Sequence, residues 1–231
     1  EDIAQKIEAL LGRRLADVSV LDIGCGWGQT MRYLASKGAV CAGFDPAPEA
    51  VAYVKSCGHE CVQAGMERMD VFGDRRFDVV LLMNVLEHLS DPVQVINDIR
   101  QTVLRDGGLL IVEVPNEFNA FQVAGQELHG LTQWWVAPPA HLNYFSASTL
   151  SNLLNASGFD VSHVAASFPL EMFLLMGDKY VGDRELGRHC HERRMAFEMN
   201  LRRVDISQYI NRLRSRDFDM VVRGFGQSNS P

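Results

Sequence analysis

The stretch Val20-Leu-Asp-Ile-Gly-Cys-Gly-Trp-Gly28 decides the fold of this 231-residue chain. A short strand pattern rich in β-branched residues fills positions 18–23, three glycines follow at two-residue spacing, and a helical pattern covers 30–36. Glycine lets the backbone turn sharply and approach a ligand closely, and the next helix directs its positive N-terminus at that point. This order predicts the first unit of a doubly wound α/β sheet with a ligand at its carboxyl edge.

Strand and helix patterns alternate along the rest of the chain. Further strands are predicted at 39–44, 60–64, 77–82, 109–114, 159–166 and 218–223, and further helices at 3–11, 46–57, 92–104, 146–157, 185–203 and 206–214. Such alternation predicts a mostly parallel sheet with helices on both faces. We therefore expect one Rossmann-like domain over residues 1–231, a doubly wound seven-stranded sheet with a helical insertion at 168–216 between the last two strands.

The charges beside the glycines indicate which cofactor binds. Asp45 lies 21 residues after Gly24, at the end of the second predicted strand, where an acid accepts hydrogen bonds from ribose hydroxyls. The spacing is G-x-G-x-G and not the G-x-G-x-x-G that cradles a pyrophosphate. Asp22, two residues before the first glycine, would repel phosphate but suits a cationic ligand with a free amino group. S-adenosylmethionine fits, because it carries a sulfonium, an amino group and no phosphate.

The chain resembles the class I S-adenosylmethionine-dependent methyltransferases, in particular the broad group that includes the ubiquinone-biosynthesis type of small-molecule methyltransferase. The matching segments are VLDIGCGWGQT (20–30), GFDP (43–46), FDVVLLMNVLEHLSDP (77–92), LRDGGLLIVEVPN (104–116) and HLNYFSASTLSNLLNASGF (141–159). They cover about residues 18–160 in the family's order, which is far more specific than a glycine loop alone. The resemblance implies an enzyme that transfers a methyl group from S-adenosylmethionine.

The resemblance also implies where the cofactor lies. Asp22, Gly24 and Gly26 would line its methionine end, Asp45 would bind the ribose, and the adenine would lie near 65–67. Gly65 departs from a common family pattern in which an Asp after the third strand binds the adenine amino group. The full set of predicted cofactor-binding residues is Asp22, Gly24, Cys25, Gly26, Gly28, Asp45, Pro46, Met66, Glu67 and Asn84.

Two histidines are candidates for the chemistry on the acceptor. An oxygen or nitrogen acceptor has to lose a proton, and histidine is suited to accept it near neutral pH. His88 follows the fourth predicted strand and His141 precedes a predicted helix, so both should lie at the cofactor edge. Packing or helix capping is the alternative role for each histidine. Trp134, Trp135 and Tyr144 are predicted to contact the acceptor, with core or lid packing as the alternative for the tryptophans.

We predict no metal site from the spacing of potential ligands. Two clusters, 57–61 and 189–191, contain cysteine and histidine, but neither has the paired spacing of a zinc site. The clustered carboxylates of magnesium-dependent methyltransferases are not evident either.

The insertion is the basic part of an acidic chain. Nine arginines and four acids lie between 184 and 216, a local charge of +5 against a net charge of −7 for the whole chain. Arginine suits bidentate contact with phosphate or carboxylate. Arg193 and Arg194 are therefore predicted to bind an anionic acceptor, such as a nucleotide-linked sugar or a phosphorylated metabolite, which is methylated on oxygen. A solvated helix face, a lid and a homodimer surface are the alternatives for this segment.

Two other functions stay open: an RNA methyltransferase and a non-catalytic S-adenosylmethionine-binding domain. RNA is disfavoured because the pI is about 5.5 and no RNA-binding module is recognisable. The longest apolar run is far shorter than the ~18 residues that span a bilayer, so no membrane partner is expected. Five scattered cysteines and the absence of a signal-peptide pattern predict a cytoplasmic protein without disulfides.

Overall fold

The computed structural model describes residues 2–201 and 223–228. Its strands are β1 (Ser19–Ile23), β2 (Val40–Asp45), β3 (Glu60–Gln63), β4 (Phe77–Met83), β5 (Leu104–Glu113), β6 (Phe159–Ala165) and β7 (Arg223–Ser228). Its α-helices are α1 (Ile3–Leu11), α2 (Gln29–Ser36), α3 (Pro48–Ser56), α4 (Pro92–Asp98), α5 (Ala120–His129), α6 (Ala147–Ala156), α7 (Glu171–Leu175) and α8 (Arg184–Leu201). Short 3₁₀ turns cover Leu15–Asp17 and Leu86–His88, and a π turn at Ile99–Val103 extends α4.

The strands form one sheet in the order β3-β2-β1-β4-β5-β7-β6. Strands β1 to β5 pair in parallel, and β7 runs antiparallel between β5 and β6. The chain order reverses beside β1, which pairs with β2 on one side and β4 on the other. In open α/β sheets this switch point is where a ligand binds, outside the carboxyl ends of the strands. The predicted parallel α/β sheet is confirmed.

The central strands are buried on both faces, as their nearly continuous apolar sequences predict. Leu21 and Ile23 of β1 pack into one core with Phe44, while Val20 packs into the other with Ile7 of α1. All five side chains are fully buried. The sheet is therefore packed on both faces, and its buried strands anchor the loops at the carboxyl edge.

The last strand differs from its prediction. Residues 223–228 form β7, whereas the sequence predicted a strand at 218–223, of which 218–222 lie outside the described residues. The sequence RGFGQS has weak β-propensity because of its glycines. Pairing on both sides, with β5 and with β6, places it in the sheet, a tertiary effect that local composition does not reveal.

The helices in the structure agree with the predicted helices, except that α5 and α7 were not predicted. Helix α5 has no counterpart in the predictions, although Asn119 and Gln122 form a capping box at its start. Helix α8 confirms most of the helix predicted at 185–203, whereas the one predicted at 206–214 lies outside the described residues. The short helix α7 packs on α5, where the Leu174 carbonyl accepts a hydrogen bond from Nε2 of His129 at 2.9 Å. Across the described ranges, no helix has the length and hydropathy needed to cross a membrane.

Candidate functional site

The glycine loop lies at the switch point between β1 and α2. Gly24 has φ +66°, and a Cβ there would lie 2.7 Å from Cγ2 of Val85, so no other residue fits without a shift. Gly26 has φ +49°, but a Cβ there would meet nothing within 4 Å. The backbone N–H groups of Gly24 and Cys25 donate to the Phe44 carbonyl at 2.9 and 3.1 Å, which ties the loop to β2. The loop thus leaves open space over Gly26.

Asp22 is a buried carboxylate near the end of β1, two residues before Gly24. Its side chain is 2% exposed, and Oδ1 has no hydrogen-bond partner among the described residues. The pKa of Asp22 is raised to about 7, chiefly by burial; a hydrogen bond from the Met31 backbone N–H lowers it in part, and the nearby charge of Asp45 makes a smaller upward contribution. A buried carboxylate with an unsatisfied oxygen is costly unless a partner arrives. A cationic ligand at the loop would be that partner.

Asp45 ends β2 and holds the loop from the other side. Its Oδ2 accepts a hydrogen bond from the Gly26 N–H and its Oδ1 accepts one from the Ala47 N–H, both at 2.8 Å. Each carboxylate oxygen has a second lone pair. The predicted ribose contact is therefore compatible with these bonds, and Asp45 also fixes the loop before any ligand binds. Pro46 follows it on the surface.

On the predicted adenine side, an acid lies beside Gly65. The carboxylate of Glu67 lies where a side chain on Gly65 would lie, because a Cβ built there meets Oε1 and Oε2 of Glu67 before any other atom. Met66 is partly buried against the core. The Glu67 carboxylate thus occupies the space that a side chain at position 65 would fill.

Cys25 and Asn84 complete the predicted cofactor residues. The Cys25 side chain is buried against α3, with Sγ 3.6 Å from Sγ of Cys61, so its backbone and not its thiol faces the loop. Asn84 follows β4 in the left-handed region with φ +55°, and its N–H donates to the Glu113 carbonyl at 2.8 Å. Its exposed side chain lies at the carboxyl edge next to the loop.

The structure brings the two predicted catalytic histidines together. The ring centroids of His88 and His141 are 5.0 Å apart, although 52 residues separate them in the chain. The backbone N–H groups of Leu142 and Asn143 donate to the Glu87 carbonyl at 2.8 and 3.0 Å, which fastens one segment to the other. Both segments lie at the carboxyl edge, because the Glu87 turn follows β4. We call Glu87, His88 and His141 the acceptor-side cluster.

Each histidine of this cluster uses Nδ1 for a hydrogen bond to oxygen. Nδ1 of His88 lies 2.6 Å from the Ala140 carbonyl, which can only accept, so this nitrogen carries the proton. Nδ1 of His141 lies 2.9 Å from Oε1 of Glu117, a buried residue that follows β5. Burial raises the pKa of Glu117, while the bond to His141 lowers it. Glu117 was not among the predicted site residues, although an acid in the loop that follows a central strand is a signal for one.

Glu87 is the most buried member of the cluster. Its side chain is 2% exposed, and Oε2 has no hydrogen-bond partner within the described ranges. Burial raises the pKa of Glu87, and its Oε1 lies 3.7 Å from Nε2 of His88, too far for a hydrogen bond. The ligand atoms of the three residues lie within 4.8 Å of one another, a group that can hold a metal ion. No metal site was predicted from the sequence, because the clusters at 57–61 and 189–191 lack the spacing of a zinc site, and this group was not among the candidates.

An aromatic wall stands beside the cluster. The rings of Trp134 and Trp135 pack edge to face, with their centroids 4.7 Å apart. The Phe118 ring packs in the same way on Trp135 and Tyr144, with centroid distances of 5.8 and 5.7 Å. Trp135 is buried, whereas Phe118 is half exposed and has φ +60°, a strained conformation for an aromatic residue. Such strain is concentrated at functional sites. Phe118 also escaped prediction.

The two predicted arginines differ in their surroundings. Nη1 of Arg193 donates to Oδ2 of Asp178 at 2.6 Å, and its guanidinium lies 4.5 Å above the Phe173 ring. Nε of Arg194 is buried and has no partner within the described part of the chain. Arg193 is therefore engaged in packing α8 near α7, whereas Nε of Arg194 is left without such a contact among the described residues.

Comparisons with known proteins agree with this geometry. A family model described as a methyltransferase domain matches residues 1–164. A ubiquinone biosynthesis O-methyltransferase of Cereibacter sphaeroides is 30% identical over 179 residues, which cover 68% of this chain and 69% of that protein. The chain belongs to the methyltransferase-domain family, and it is an S-adenosylmethionine-dependent methyltransferase of class I.

Solved structures share the fold at low identity. A SAM-dependent methyltransferase from Archaeoglobus fulgidus has a TM-score of 0.61 at 16% identity, covering 98% of this chain and 93% of that one. The plantazolicin methyltransferase BamL, solved with a triazolic desmethylPZN analog and S-adenosylhomocysteine (SAH), has a TM-score of 0.61 at 18% identity, with coverage of 99% and 84%. The cofactor of this chain is S-adenosylmethionine.

Proposed function

We propose that the protein methylates a hydroxyl oxygen of a small molecule that lies between the glycine loop and the aromatic wall. The observation that carries this proposal is the bond from Nδ1 of His141 to Glu117. It leaves Nε2 of His141 as the atom available for acceptor chemistry. An oxygen acceptor needs such a group, because it must lose its proton as it is methylated.

The reaction is an in-line displacement. The acceptor oxygen forms a bond to the methyl carbon while the bond from carbon to sulfur breaks, and sulfur keeps the electron pair and becomes the neutral thioether of SAH. Positioning of the two reactants supplies much of the acceleration. Asp22 and Asp45 would place the cofactor, the aromatic wall would place the acceptor, and the histidines would manage the proton.

Three residues extend the cofactor assignment. Glu67 would accept the hydrogen bond from the adenine amino group, in the place of the acid missing at Gly65. Met66 would cover the adenine face, and Asn84 would contact the methionyl group. Glu67→Ala should weaken SAH binding, whereas Glu67→Ala combined with Gly65→Asp should restore part of it.

The acceptor carries a negative charge in this proposal. Arg194 supports it through a buried Nε without a partner among the described residues. Nucleotide-linked sugars and phosphorylated metabolites have this chemistry. The expected setting is cytoplasmic, as the five scattered cysteines predict.

A methyl-transfer assay tests the proposal. The full chain is incubated with methyl-labelled S-adenosylmethionine and a panel of acceptors in matched pairs, each hydroxyl compound beside its O-methylated or deoxy analogue. We expect labelled product only with free hydroxyls and preferentially with anionic members. Turnover confined to amines would contradict oxygen as the acceptor atom. Turnover confined to an RNA pool included in the panel would contradict a small molecule as the acceptor.

A further inference from the structure

Two buried thiols meet beside the cofactor loop. Sγ of Cys25, in the glycine loop, lies 3.6 Å from Sγ of Cys61 in β3, although 36 residues separate them in the chain. Both side chains are buried, and they pack in a small core with Met31 of α2 and with residues of α3. Both are free thiols in the structure. Neither thiol takes part in the proposed methyl transfer.

The register of the sheet explains why these two thiols touch. Gly43 of β2 pairs with Asp22 of β1 on one side and with Cys61 of β3 on the other. The Cys25 thiol lies over this glycine, because a Cβ built on Gly43 would lie 3.1 Å from Sγ of Cys25. A side chain at position 43 would compete with the thiol for this space. Gly43 thus leaves room for Cys25 to reach across β2 to Cys61.

The two sulfurs are close enough to form a disulfide after a small movement. A disulfide has an S–S length of about 2.05 Å, so the sulfurs need to approach each other by about 1.5 Å. The hydrogen bond between the thiols lowers the pKa of Cys61 and raises the pKa of Cys25. Because the thiolate is the reactive form, Cys61 is the thiol that reacts first with an oxidant. The sequence predicts no structural disulfide, and in a reducing compartment a disulfide is typically transient and redox-sensing.

We propose that Cys25 and Cys61 form a reversible disulfide when the protein meets a hydroperoxide, and that this bond weakens binding of the cofactor. The Cys61 thiolate attacks one oxygen of hydrogen peroxide, the O–O bond breaks, and Cys61 becomes a sulfenic acid while the other oxygen leaves as water. The Cys25 sulfur then attacks the Cys61 sulfur, the S–O bond breaks, and a second water leaves with the Cys25 proton. Two electrons pass from the two thiols to the peroxide. A dithiol reductant reverses the bond by exchange.

The disulfide acts on the cofactor site through the backbone of the loop. The N–H groups of Gly24 and Cys25 both donate to the Phe44 carbonyl. The Gly26 N–H donates to Oδ2 of Asp45. These three hydrogen bonds fix the loop in the shape that leaves open space over Gly26. Drawing the Cys25 side chain toward β3 pulls on the middle of this arrangement, so the reduced form is the one that fits the cofactor.

Oxidation of the full chain tests the proposal. The protein is reduced, desalted and treated with a small excess of hydrogen peroxide, and the remaining thiols are alkylated before digestion and mass spectrometry. We expect one disulfide-linked pair of peptides, which contain Cys25 and Cys61. Calorimetry should give an SAH affinity at least tenfold weaker for the oxidised chain. Treatment with dithiothreitol should return the affinity to within twofold of its starting value.

Cys25→Ser and Cys61→Ser each remove one half of the pair. Peroxide should change the SAH affinity of either variant by less than twofold, whatever its value before treatment. Cys41→Ser is the matched control, because Cys41 of β2 packs against the same small core, and this variant should respond like the wild type. Circular dichroism before and after treatment checks that the fold is intact.

The coupling between the disulfide and the cofactor can also be measured from the other side. If oxidation weakens SAH binding tenfold, saturating SAH stabilises the dithiol form by the same factor. For a two-electron couple this factor raises the reduction potential of the pair by about 30 mV. Equilibration of the chain in glutathione redox buffers, with and without SAH, gives this shift.

The proposal is overturned if peroxide yields no disulfide between Cys25 and Cys61, since the contact is then only packing of the core. It is also overturned if the disulfide forms but leaves SAH affinity unchanged, or if Cys41→Ser abolishes the response. None of these measurements involves an acceptor, so the outcome does not depend on which molecule the protein methylates.

Discussion

The cofactor side and the acceptor side of the carboxyl edge are built from different groups: backbone amides on one side and side chains on the other. On the cofactor side, backbone amides of the glycine loop are fixed to β2 and flanked by the acids Asp22 and Asp45. On the acceptor side, side chains from three separate segments, 87–88, 117–118 and 134–144, meet in one cluster. Backbone geometry suits a ligand common to a whole family, whereas side chains can change from one acceptor to another. Substitutions on the two sides should therefore have separable effects.

The largest effect is expected from His141→Gln. The substitution removes the acceptor-side nitrogen but leaves the glycine loop untouched, so kcat should fall by about 10²–10⁴-fold while SAH affinity stays within twofold. Steady-state kinetics and calorimetry give the two numbers, with His59→Gln as the control. A His141→Gln enzyme with normal kcat would remove this residue from the chemistry.

Substitutions in the glycine loop should lower the affinity for SAH, which the His141→Gln substitution leaves unchanged. Gly24→Ala combines a left-handed backbone, which costs about 1–2 kcal/mol for a residue with a Cβ, with a collision against Val85. We expect SAH affinity to fall by about 100-fold. Gly26→Ala carries the backbone strain without the collision and should lose about tenfold or less. Equal losses in the two variants, at unchanged thermal stability, would mean that the contact with Val85 does not matter.

The raised pKa of Asp22 predicts that cofactor affinity depends on pH. Because burial raises its pKa to about 7, Asp22 is mostly protonated at pH 6 and ionised at pH 8. Affinity for the cationic cofactor should therefore rise with pH up to about 8, by up to about tenfold per unit below 7. Asp22→Asn should bind weakly at every pH, with a flat profile. A wild-type profile that is equally flat would contradict the assignment.

The same group has the opposite effect on the free protein. Its pKa is higher folded than unfolded, so its favourable contribution to folding is present at low pH and is lost as pH rises through about 7. Asp22→Asn should therefore raise the melting temperature of the free protein at pH 8, by about 2–4 °C for each kcal/mol. Little change is expected at pH 4. Differential scanning calorimetry of both proteins at the two pH values is the measurement.

The smallest effects are expected at the two arginines of α8. Arg193→Ala breaks an exposed ion pair with Asp178, which should cost about 0.2–1 kcal/mol of stability and leave acceptor affinity unchanged. Arg194→Ala should weaken binding of an anionic acceptor by about tenfold or more and leave SAH affinity unchanged. The pair is its own control. An Arg194→Ala variant with normal acceptor affinity would remove the anionic contact from this helix.

The cofactor side was predictable because its signals are local. Asp22, Gly24 and Asp45 lie within 24 residues and follow two strand patterns, and the strand order brings them together in any doubly wound sheet. Glu67 was predicted as a contact, but the position of its carboxylate beside Gly65 is seen only in the structure. The conformation of the loop after β3 decides whether a side chain at position 65 or one at position 67 fills this space.

The acceptor side was predictable only in part. His88 and His141 were predicted one by one, whereas their contact, and the role of Glu117, depend on hydrogen bonds between segments more than 20 residues apart. Helix α5 was missed although its capping box, Asn119 with Gln122, is a readable signal. Residues 224–228 of strand β7 were not predicted, because sheet pairing overrides the weak propensity of the glycines there.

One measurement tests the division of the site most directly: calorimetric titration of SAH into wild type, Asp45→Ala and His141→Gln. We predict one binding site per chain, an affinity at least tenfold weaker for Asp45→Ala, and an affinity within twofold of wild type for His141→Gln. Failure of the folded wild type to bind SAH, or equal losses in the two variants, would contradict the account.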